Sequence, residues 1–109
     1  MFLRAFCFLD VKTGFYSQPF FLVHNGAAVR AALDVGNDLN TSIGRHPYDF
    51  RLVRIGEFDD SVGLLLSGQH EDLGTVGALL AQAELSRPVK QPSEMTAAEV
   101  VALRESESA

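Results

Sequence analysis

The sequence has no tryptophan, a single cysteine, and 9 basic residues against 14 acidic ones, for a formal charge of −5 over 109 residues. Each shortage excludes something. Cys7 has no disulfide partner within the chain, so a cross-linked secreted scaffold is ruled out; its place in an apolar run marks a buried thiol suited to a reducing compartment. The acidity is not confined to a tail, because residues 1–83 alone hold 6 basic and 9 acidic side chains. A surface that tracks phosphates without regard to sequence would be basic. No stretch approaches the roughly 18 apolar residues of a membrane span, so the chain reads as soluble with no membrane partner.

Chemistry-bearing patterns are also missing. Neither Gly-x-x-x-x-Gly-Lys nor Gly-x-Gly-x-x-Gly occurs, which removes the usual phosphate cradles. His24, His46 and His70 stand apart from one another without ligand spacing, so no metal is expected. Glu57, Asp59 and Asp60 read as a solvated hairpin tip. With no nucleophile set beside a base, the sequence predicts no enzyme and no cofactor.

What is present is apolar patterning. Residues 2–9 form a strand apolar on both faces and broken only by Arg4. Asp10 to Gly14 reads as a turn, since an Asp side chain can hold its own reversal and Gly supplies positive φ. A second strand is expected from Phe15 to Val23, on an edge because Pro19 cannot donate to a ladder. Asn25 is the expected cap of a helix over Ala27–Val35, with Val29, Ala32, Leu33 and Gly36 on its apolar face. Ser42–Asp49 is expected to be irregular apart from one helical turn at Pro47-Tyr48-Asp49.

A third strand is predicted over Phe50–Phe58, and Asp59 to Gly63 repeats the Asp-x-x-x-Gly pattern of the first turn. A fourth strand over Val62–Ser67 ends at Gly68, and a second helix follows over Glu71–Ala83. The fold class is α+β: a small antiparallel four-stranded sheet in ββαββ order, with a further short helix, packed on one main helix. Residues 1–83 are expected to be one domain. Residues 84–109, marked by Ser86, Pro88, Pro92 and Ser93, read as a flexible tail with a short helix over 97–105 headed by the capping box Thr96 to Glu99.

Local evidence for nucleic acid is limited to Arg45, Arg51 and Arg54 with Tyr48 and Phe50 between them. Arginines can pair with phosphates, and aromatic faces can stack on unpaired bases. Acidic neighbours Asp49, Glu57, Asp59 and Asp60 favour the plainer reading of a mixed-charge strand with Phe50 in the core.

Five motifs in order carry a family resemblance: Pro19-Phe20-Phe21, Arg30-Ala31, Asn37-Asp38-Leu39-Asn40-Thr41, His46-Pro47-Tyr48-Asp49-Phe50 and Gly56-Glu57-Phe58-Asp59-Asp60. With them, residues 6–82 resemble the small non-structural protein of gokushoviruses, tailless single-stranded DNA phages of the microvirus group. The resemblance implies a role in single-stranded genome synthesis and packaging, in the cytoplasm of a bacterial host, and it carries no catalytic residues. With the acidic balance, it predicts action chiefly through contacts with viral replication or procapsid proteins. The alternative is direct single-stranded DNA binding through Arg45, Tyr48, Arg51 and Arg54. A homodimer is also expected, burying one sheet face or the edge near Phe15–Phe21, because one sheet and two helices can hardly cover both faces of the first strand.

Overall fold

The computed structural model describes residues 1–86. Its elements are β1 (Phe2–Asp10), β2 (Phe20–Leu22), α1 (Asn25–Gly36), α2 (Ser42–Arg45), a 3-10 turn (Pro47–Asp49), β3 (Phe50–Asp59), β4 (Leu64–Thr75) and α3 (Val76–Ser86). The four strands form one antiparallel sheet in the order β2-β1-β3-β4. This is the α+β architecture that the alternating strands and paired turns imply.

Both Asp-x-x-x-Gly segments turn as expected. Asp10 accepts from the Lys12 amide at 2.9 Å and Asp59 from the Ser61 amide at 3.0 Å. Gly14 and Gly63 then take positive φ of 79° and 68°, where a Cβ would be strained. The second expected strand is much shorter than its apolar run. Pro19 has no N–H to give, and Tyr16 makes only an isolated bridge to Leu9. Ser17 holds the intervening chain, its hydroxyl accepting from the Phe8 amide at 2.8 Å while its own amide donates to the Phe8 carbonyl at 2.8 Å.

α1 starts one residue earlier than a cap at Asn25 requires. His24 is the cap, its Nδ1 accepting from the Ala27 amide at 3.0 Å. Asn25 instead lies in the first turn, where its side-chain amide donates to Glu71 at 3.2 Å. Replacing His24 by Ala should cost about 1 kcal/mol, and Asp at this position should restore most of it. Urea denaturation of the two variants checks this, and equal losses would show that the imidazole does not act as a cap.

The largest departure concerns β4. It does not stop at Gly68 but runs on to Thr75, and residues 71–75 are strand, not helix. Between Arg54 and Gly56 the β4 partners jump from Glu71 to Ser67, so Gly68, Gln69 and His70 together face Ile55. This bulge absorbs the glycine that reads as a terminator. Gly74, at φ 109°, makes the actual break, and the Thr75 hydroxyl accepts from the Ala78 amide at 3.1 Å to open α3. Ser42–Arg45 is a helical turn rather than irregular chain, because the Thr41 hydroxyl accepts from the Gly44 amide at 2.9 Å.

The helices lie on one face of the sheet, over a core of Phe6, Ala28, Ala32, Leu52 and Val76. Small residues let α1 approach closely: a Cβ on Gly36 would stand 2.7 Å from a Val76 methyl of α3. Ala28 and Ala32 fill the seam, while Leu33, expected in the core, is half-buried outside it.

Candidate interaction surface

The four candidate nucleic-acid residues do not form one patch. Arg51 and Arg54 are three apart on β3, so their side chains leave opposite faces of the sheet. Arg51 Nε reaches Asp72 at 2.6 Å. Arg54 meets Glu57 at 2.8 Å and Glu71 at 3.7 Å. Arg45, at the end of α2, donates to the Leu39 carbonyl at 3.2 Å. Tyr48 is exposed along one flank of its ring, and its other flank lies over Gly77, where a Cβ would stand 2.6 Å away. Phe50 packs against the core.

The Arg51–Asp72 pair also sets an acid dependence. Burial opposes ionisation of Asp72, yet Arg51 and the Gly74 amide together hold its carboxyl below the ordinary carboxylate value. A carboxyl with a depressed folded-state pKa adds stability that is present above the unfolded value, near 3.9, and lost as pH falls through the folded one. Asp72→Asn should therefore lower stability at pH 7 by under about 1 kcal/mol, since the pair is half-exposed. The gap to the parent should close on acidification below about pH 4. A gap that persists at pH 2 would assign the effect to packing.

Among the described residues no helix covers the second face of the sheet, yet Ala5, Cys7 and Val53 on it are only 1–3% exposed. Two aromatic straps account for this. Tyr16, beside β1, reaches His70 of β4 with ring centroids 5.7 Å apart. Their contact must pass over β1 and β3, where Cys7 pairs with Val53. Phe21 of β2 meets Phe58 of β3 at 5.4 Å across β1, where Ala5 is the register partner of Phe21. The shortage of cover on β1 is thus met within the chain. His70 lies in mid-strand and serves as one end of a strap. Burial pushes the Cys7 thiol up in pKa, as befits a structural cysteine.

Uncovered apolar surface lies elsewhere, at the end of the sheet remote from α3. Leu64, Leu65 and Leu66 on β4 are 48, 64 and 42% exposed, with Val62 at 71%. Leu65 pairs with Phe58 and Leu66 with Glu57, so consecutive leucines lie on both faces of an edge strand. On the strap side, Leu65, Phe21, Pro19, Ile55 and Ala5 line an open depression of about 230 Å³. On the other side, Arg54, Glu57, Glu71, Ser67 and Gln69 line a polar one of about 370 Å³. The Leu64–Leu66 run is visible in the sequence as three apolar residues without alternation. Its meaning depends on β4 being an edge, which the sequence does not announce.

Among the described residues, no group of three or more His, Cys, Asp and Glu gathers as a metal site would. Nor is any helix among them long and apolar enough to cross a membrane. A family model described as Phage ORF5 protein matches residues 3–76, more than half of the chain and all four strands. No curated protein and no solved structure matches the chain.

Proposed function

The chain belongs to the Phage ORF5 protein family, and from that premise we propose that it is a non-enzymatic phage protein acting in viral single-stranded DNA synthesis or genome packaging. It works in the cytoplasm of the bacterial host, mainly through contacts with viral replication or procapsid proteins, in the way that its resemblance to the gokushovirus non-structural protein implies. The observation that carries the emphasis on protein contacts is the state of the arginines. Arg51 and Arg54 are spent on Asp72, Glu57 and Glu71, on opposite faces, while Val62 and Leu64–Leu66 stand in solvent. Phosphate recognition needs free cations on one surface, whereas recognition by a protein uses exposed apolar groups. The role is tested by a phage with a stop codon early in this reading frame. Replicative double-stranded DNA is expected to accumulate while packaged single strands fall at least tenfold, with recovery when the protein is supplied from a plasmid. Normal yields of single-stranded genomes would overturn it.

Direct binding of single-stranded DNA is the second reading, favoured by the exposed flank of Tyr48 beside Arg45 at the turn into β3. It requires Arg51 or Arg54 to exchange its carboxylate for a phosphate.

A further inference from the structure

The two edges of the sheet are built differently. β2 is three residues long and follows Pro19, so it offers little backbone for pairing. β4 is twelve residues long, contains no proline, lysine or arginine, and is exposed from Leu64 to Asp72. Natural edges are normally blunted by such residues, and the first part of this one carries leucines instead.

We propose that this edge pairs with the same edge of a second copy, antiparallel about a two-fold axis at Leu65, to give a continuous eight-stranded sheet. The local sequence Gly63-Leu64-Leu65-Leu66-Ser67 is its own complement under that operation. Leu65 meets Leu65 of the second copy on the strap side. Leu64 and Leu66 cross with their counterparts on the other face, and small residues, Gly63 and Ser67, meet at the flanks. Charge restricts the register without selecting it, since an axis at Leu65 also turns Asp59 and Asp60 of the hairpin tip toward Glu71 and His70 of the second copy. Glu71 and Asp72 are the only carboxylates of β4, six and seven residues from the axis, or about 20 Å along a strand and beyond the screening length. An axis in the second half of β4 would set these carboxylates against their own copies.

Size fits a second copy as well. Val62, Leu64, Leu65 and Leu66 together expose on the order of 400 Å² over the two faces of the edge, within the range of the largest apolar patch on a monomer. With main-chain pairing and the neighbouring Phe58, the interface reaches the low end of specific ones, the class of weak and transient contacts. β4 is favoured over the edge near Phe15–Phe21 because that edge offers only a three-residue strand after Pro19, although Phe15, Tyr16 and Phe21 there are also exposed.

Sedimentation of the full chain tests this, combined with two variants. The mass should approach twice 11.9 kDa at high concentration and fall toward one chain on dilution. Leu65→Glu should remain monomeric to at least tenfold higher concentration, with an unchanged circular dichroism spectrum. Leu65→Cys should cross-link with diamide at least tenfold faster than Leu39→Cys, a control on an exposed leucine in a remote loop. Amides of Leu64–Ser67 should exchange more slowly in the dimer. A monomer at every concentration, a dimer that survives Leu65→Glu, or equal cross-linking at both cysteines would overturn the proposal.

Discussion

Phe6→Ala is expected to remove about 3–5 kcal/mol of stability, which at the low end of the about 5–15 kcal/mol usual for domains leaves little or no margin of folding. The reason is position. Phe6 is fully buried on the helix-covered face, is opposite Phe20 in the register, and stacks on that ring at 5.9 Å. Truncation would open a cavity between β1, β2 and α1 that the alanines of α1 are too small to fill. Leu33→Ala serves as the internal comparison. Its half-buried side chain lies outside the core cluster, so about 1 kcal/mol is expected. Equal shifts of the urea midpoint in the two variants would contradict this placement of the core.

Gly56→Ala should be nearly as damaging although it adds one methyl group. Gly56 is buried in β3, and a Cβ there would collide with the Leu66 carbonyl of β4, with the Leu66 carbonyl carbon 3.2 Å away. The obstacle is backbone, so no rotamer can relieve it. Either the β3–β4 ladder opens from residue 56 outward or about 3 kcal/mol is lost. Gly68→Ala provides the contrast, since its nearest neighbour, the Gly56 Cα, would be at an ordinary 3.8 Å; a change within about 1 kcal/mol is expected there. Thermal melts, with amide exchange over Leu64–Ser67, distinguish opening of the ladder from global loss. Equal tolerance at the two glycines would show that β4 does not pass as close to β3 as the structure has it.

Much of this architecture is legible in the sequence where the signal is local. The two Asp-x-x-x-Gly turns, the apolar β1 and the turn at Pro47 each rest on residues within five positions of one another. What escapes is decided at a distance. Gly68 and Glu71–Asp72 read as a strand end and a helix start, and only pairing with β3 makes them a bulge and more strand. Because Asp72 was expected on a helix, nothing in the sequence sets it against Arg51, and the candidate arginines read as available when they are paired. The straps Tyr16–His70 and Phe21–Phe58 join residues 54 and 37 positions apart. They supply the cover on β1 that the sequence does not show, while Leu64–Leu66 form a run of exposed leucines on an edge strand.

Whether the proposed action runs through protein contacts or through phosphates is decided by titrating a fluorescent, unpaired oligonucleotide at several salt concentrations. No saturable binding tighter than about 10⁻⁴ M is expected at physiological salt. Micromolar binding whose logarithm falls with the logarithm of salt at a slope near −2, about the value for three phosphates neutralised by Arg45, Arg51 and Arg54 with release of their counterions, would count against action through protein contacts.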